Sequence, residues 1–131
     1  MNIDATDQEI LGFIEAWVNC LAREDYIGAY AHTKHDSYYE WSPKLIEAVI
    51  NGYGLPEPHP SGEVFKVTSS EAAEGTSGQQ VIERGVGPEG CLGYAYYDLP
   101  LNGAWSDLTA SFRLENRDGE LNVILEEIHV M

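Results

Sequence analysis

From Cys91 to Met131 the chain reads as three long runs of β-forming residues separated by two short turns. Asp118-Gly119 lies between two apolar runs, a strong signal for a tight hairpin, and Asn102-Gly103 marks the turn before it. In the middle run Leu108, Ala110, Phe112 and Leu114 fall on one face. Thr109, Ser111, Arg113 and Glu115 fall on the other, the period-2 pattern of a half-buried antiparallel strand. The last run is apolar on both sides. Val123 and Leu125 alternate in phase with Glu127 and His129, and Ile124, Ile128 and Val130 in phase with Glu126. Such a strand is either sandwiched or bulged. It is predicted to be central, with helices over one face and a partner or loop over part of the other.

Upstream, Thr6-Asp7-Gln8-Glu9 has the form of a capping box. Ile10, Phe13, Ile14, Trp17, Val18 and Leu21 then recur every three or four residues, which predicts an amphipathic helix to about Ala22. Glu24 to Thr33 reads as a second helix, with Tyr26, Ile27, Ala29 and Tyr30 close together. Ser42-Pro43 opens a third with Leu45, Ile46, Val49 and Ile50 inward, and Asn51-Gly52 closes it with Gly52 in a left-handed conformation. Gly52 to Gly62 is loop, Val64–Ser69 a strand, Ser70–Gly78 an exposed turn and Gln79–Val86 another strand. Helices first and strands after is an α+β order. The expectation is a single domain, 1–131, with three N-terminal helices on a curved antiparallel sheet of about five strands. Phe13, Ile14, Trp17, Leu21, Ile46, Val49, Phe112 and Leu114 should join the two layers.

Charge narrows the function. The chain has 22 acidic and 7 basic residues, a net charge of −15, in an ordinary 44% apolar composition. Seven scattered cations cannot make a phosphate-binding patch, so nucleic acid and anionic membrane surfaces are not expected partners. The same field favours solubility and rapid capture of a basic protein. Cys20 and Cys91 read as buried free thiols. The first ten residues lack the basic-then-apolar pattern of a secretory signal, and no apolar run reaches membrane-spanning length. A cytoplasmic location follows as the expectation.

Gly85-Val86-Gly87-Pro88-Glu89-Gly90 has the spacing of a dinucleotide fingerprint, but a strand pattern follows where a helix is needed, so it is read as a hairpin turn. His32, His35 and Asp36 lie close together at an expected helix end. They are an incomplete ligand set, so neither metal nor cofactor is expected.

The element order, the stretch Arg23-Glu24-Asp25-Tyr26-Ile27-Gly28-Ala29-Tyr30 and the closing strands together resemble the nuclear-transport-factor-like superfold. That superfold includes ketosteroid isomerase, scytalone dehydratase and polyketide-cyclase-like proteins. The ending Leu125-Glu126-Glu127-Ile128-His129-Val130-Met131 is similar to that of small bacterial members, and some members resemble immunity proteins that neutralise toxins. The resemblance implies a cone-like sheet and a homodimer formed through the open sheet face, with Tyr97, Arg113 and Val123 at the contact.

For activity, the resemblance implies a cone lined by aromatic side chains that takes a small apolar ligand. The residues for this are Trp17, Tyr26, Tyr30, Tyr39, Trp41, Tyr94, Tyr96 and Trp105, although tyrosine is as readily part of a core with its hydroxyl reaching water. Asp98, Asp107, Glu126 and His129 are the acid–base candidates. In an unbulged strand Glu126 and His129 point to opposite faces. No catalytic motif of the superfold has a counterpart here. The first expectation is therefore a non-enzymatic acidic interaction module, such as an immunity protein against a basic toxin. The second is an isomerase, dehydratase or cyclase acting in an aromatic cone.

Overall fold

Thr6 begins the first helix, α1 (Asp7–Ala22), in a computed structural model that describes residues 1–76 and 78–130. The Thr6 hydroxyl accepts from the Glu9 N–H at 3.2 Å, and the Glu9 carboxylate accepts from the Thr6 N–H at 3.1 Å. Both partners of the expected capping box are thus present. Thr6→Ala removes one of these bonds and should lower stability by ~1 kcal/mol, read as a shift in the denaturant midpoint. Ile10, Ile14, Trp17, Val18 and Leu21 are buried along one side of α1. Phe13 is only partly buried and stacks on His32, with ring centroids 4.1 Å apart.

The second helix, α2 (Tyr26–His32), starts at Asp25, whose carboxylate accepts from the Gly28 N–H at 2.9 Å. Tyr26 and Ala29 turn inward, while Ile27, expected beside them, is exposed. The third, α3 (Pro43–Asn51), is capped by the Ser42 hydroxyl accepting from the Leu45 N–H at 3.1 Å. Its end differs from expectation. Gly52 has φ −92°, and the left-handed residues are Tyr53 at 56° and Gly54 at 101°. Glycine is required at position 52 for space instead. A Cβ there would lie 2.1 Å from the Leu55 carbonyl oxygen and 2.2 Å from that of Glu57.

Five strands follow one order, β1 (Lys34–His35), β5 (Glu120–Val130), β4 (Ala104–Arg117), β3 (Cys91–Leu101) and β2 (Gln80–Arg84). β1 runs parallel to β5 and the other neighbours are antiparallel. Both long hairpins turn through two left-handed residues, Asn102 and Gly103 at φ 50° and 86°, and Asp118 and Gly119 at 55° and 78°. That twist matches the strands they join. Gly85–Gly90 is the connection of the β2–β3 hairpin, with no helix after it.

The number of strands is as expected but their membership is not. Val64–Ser69 is not a strand: only Val67 bridges to Leu101. The Lys66 N–H is instead bonded to the Asn102 side chain, and Thr68 to the Pro100 carbonyl. The fifth strand is β1, at the opposite edge of the sheet.

The helices cover one face. The Trp17 ring meets Phe112 edge-on at 5.2 Å, and both are fully buried. Ala95, Tyr97, Leu99, Ala110, Leu114, Val123 and Leu125 complete that side of the core. Tyr97 and Val123 were expected at a dimer contact. They are 2% and 3% exposed within one chain, because their strand phase turns them toward the helices. Cys20 and Cys91 are free thiols that are only partly buried, a correction to the expected burial. No helix among the described residues is long and apolar enough to cross a membrane.

Candidate functional site

A β-bulge organises the candidate site. Ser111 of β4 pairs with Glu127 and Phe112 pairs with Leu125, so Glu126 is an extra residue in β5. The bulge reverses the alternation halfway along β5. Before it, Val123 and Leu125 face the helices; after it, Ile128 does. Glu126, Glu127 and His129 consequently share the face that carries Ile124, Arg113, Ser111 and Thr109. Strict alternation put Glu126 and His129 on opposite faces and grouped Ile124 with Ile128. The structure corrects both.

Arg113 gathers three carboxylates on this face. Its Nη1 donates to Glu126 at 2.7 Å and to Asp36 at 3.0 Å, and its Nε to Glu115 at 2.5 Å. Arg117 donates to the other oxygen of Glu115 at 3.1 Å. Asp36 arrives because the chain continues from β1 along β5, its N–H donating to the Leu125 carbonyl. The Tyr38 N–H, followed by Arg113, holds the Asp36 carboxyl below its ordinary range. Burial works to raise Glu115, and the bonds from Arg113 and Arg117 outweigh it and lower it. Glu126 goes the other way. Burial raises it, with Asp36 and Glu127 adding repulsion, beyond what Arg113 offsets. One guanidinium thus holds three acids and leaves the cluster net negative.

β1 ends at His35, and past that point the edge of β5 is flanked by Tyr39, Trp41 and α3 rather than by a strand. The gap is a cleft of about 410 Å³ lined by Tyr39, Trp41, Leu45, Val49, Gly54, Pro56, Glu127, Ile128 and His129. The Trp41 indole N–H donates to the Glu126 carbonyl at 3.0 Å, fixing one wall to the bulge. The Tyr39 hydroxyl donates to the Glu127 carboxylate. That bond pushes Tyr39 up to about 12, so the phenol is a neutral donor at physiological pH. His129 Nδ1 lies 2.9 Å from the other Glu127 oxygen but is not aligned for a hydrogen bond.

The acid–base candidates do not converge. Asp98 accepts from the Gln79 N–H at 2.7 Å and the Thr109 hydroxyl at 2.6 Å, fixing the start of β2 to the sheet. Asp107 accepts from the Tyr53 hydroxyl. Glu126 belongs to Arg113, and His129 stands beside Glu127. Glu127 was not singled out from the sequence, and the only signal for it was the two-sided apolarity that betrays a bulge.

The aromatic residues also divide. Trp17 and Tyr26 are core, and Tyr30 stacks on His35 at 4.0 Å. Tyr94 and Tyr96 sit beside Arg113 and Ser111 on the open face, and Trp105 is half-buried beyond the Asn102-Gly103 turn. Only Tyr39 and Trp41 line the cleft. His32, His35 and Asp36 separate as well. His32 Nε2 bonds the Phe13 carbonyl at 2.7 Å, and burial lowers the His35 value. No group of three metal-ligating side chains occurs among the described residues. Comparison of the chain with protein-family models, curated proteins and solved structures found no match.

Proposed function

We propose that this chain is a non-enzymatic acidic interaction module that captures a basic protein, in the manner of an immunity protein neutralising a toxin in the cytoplasm. The supporting observation is where the positive charge goes. Of the 7 basic residues, Lys66, Arg84, Arg113 and Arg117 each pair with carboxylates of this same chain. Glu71, Glu74, Glu83 and Glu89 are exposed and have no ion-pair partner among the described residues. Pairing leaves the net charge of −15 unchanged, and of the basic residues only Arg23, Lys34 and Lys44 are without an ion-pair partner among the described residues, so the unpaired charge is mostly negative. Such a field acts mainly on the association rate, over ~8–10 Å at physiological salt.

The test is to isolate the partner from the native cell and measure binding rates across a salt series. With a basic partner, changing Glu71 and Glu74 together to Gln should slow association several-fold and flatten its salt dependence, with dissociation nearly unchanged. A partner that is not basic, or a rate indifferent to salt, rejects the reading. The second reading is a small-molecule isomerase, dehydratase or cyclase in a cone-like sheet of the nuclear-transport-factor type. The cleft with Tyr39 and Glu127 at its rim favours it.

A further inference from the structure

We propose that the cleft between α3 and the free edge of β5 binds a small organic ammonium ion, a protonated amine carried on an apolar ring or chain. The site does not include the exposed carboxylates Glu71, Glu74, Glu83 and Glu89, and the inference does not depend on the basic-partner reading.

The walls are apolar: Trp41, Leu45, Val49, Pro56 and Ile128. Among the described residues that line the cleft, Glu127 is the only carboxylate and none is Lys or Arg. A carboxylate offers about four acceptor positions; Glu127 accepts from the Tyr39 hydroxyl, and His129 Nδ1 lies 2.9 Å from its other oxygen without a hydrogen bond. Glu127 is 40% exposed, so an incoming cation reaches it. The Tyr39 and Trp41 rings, with centroids 6.3 Å apart, add π surfaces that attract cations. Apolar walls, aromatic rings and one partly solvated carboxylate together recognise an amphipathic cation.

Size selects among cations. A volume of about 410 Å³ lies in the range of small-ligand pockets, roughly 300–1,000 Å³. The four-carbon stem of a single lysine would leave most of it empty, so the occupant is a free molecule rather than one side chain of a protein. An anionic ligand is opposed by Glu127 and by the net charge of −15. A neutral apolar ligand would fill the walls but gain nothing from Glu127.

The probe is 2-phenylethylammonium, titrated into the full chain while the Trp41 indole N–H is followed by nuclear magnetic resonance. Trp41→Phe assigns that signal against Trp17 and Trp105. The expected result is a saturable shift at Trp41, with 2-phenylethanol at least about tenfold weaker and 3-phenylpropionate without effect. Glu127→Gln should reduce the ammonium to the affinity of the alcohol while signals outside the cleft stay in place. No saturable shift, or equal binding of alcohol and ammonium by the unaltered chain, overturns the proposal whether or not the variant folds. An unchanged ammonium affinity in a folded Glu127→Gln protein overturns it too.

Discussion

Trp17→Ala should destabilise the protein by ~3–5 kcal/mol, the usual cost of emptying a large aromatic site in a packed core. Trp17 is fully buried at the meeting of α1 and the sheet, edge-on to Phe112 at 5.2 Å. Truncation removes the largest side chain joining the layers, and the long strands behind it cannot collapse into the space. A second substitution separates packing from polarity. The Trp17 indole N–H is buried with no hydrogen-bond partner among the described residues. An orphan donor of this kind costs about 1–3 kcal/mol, so Trp17→Phe, which removes it, should lose far less than Trp17→Ala. Denaturant unfolding of the three proteins measures both. A loss below about 1 kcal/mol for Trp17→Ala would mean that the α1 register is wrong.

Arg113→Met should cost ~2–3 kcal/mol near neutral pH, with a loss that shrinks in acid. Removing one partner of a buried ion pair costs about 3–5 kcal/mol. The smaller figure allows for a guanidinium that is 20% exposed and so partly screened. The pH dependence follows from the carboxyl groups it holds. Asp36 and Glu115 sit below their ordinary values. The stability they contribute is present above the unfolded value and disappears as pH falls through the folded one. Glu126 is raised, so its own contribution is present in acid and is lost as pH rises through its folded value. Without Arg113 the three acids repel one another at neutral pH and lose that repulsion when protonated. Midpoints at about pH 7 and about pH 3 should therefore differ between the two proteins more at the first than at the second. A gap of the same size at both would show that the arginine contributes through its packed stem alone.

Several parts of this molecule needed only a few neighbouring residues to be legible. The Thr6–Glu9 box, the Ser42-Pro43 start and the two Xaa-Gly hairpin turns each depend on bonds or backbone angles within four residues. The Leu108–Leu114 alternation likewise predicted which side of β4 meets the helices, because the pleat assigns alternate residues to opposite faces.

The sites depended on longer distances. β1 is two residues long, too short to carry a pattern, and exists because Lys34 and His35 find Ile124 and Leu125 from far along the chain. Val64–Ser69 has the composition of a strand yet makes one bridge, since composition cannot say which edge accepts it. The most consequential case is Glu126. Amino-acid order showed that β5 is apolar on both sides, which a bulge or a sandwich satisfies equally. Only pairing with β4 placed the extra residue, and that choice turned Glu127 and His129 to the open face, which Glu126 already shared with Ile124 and Arg113 and where the cleft lies beside Trp41. Local chemistry determined the elements and most of their faces. The register of one strand against another, a balance of contacts far apart in sequence, decided which side chains meet.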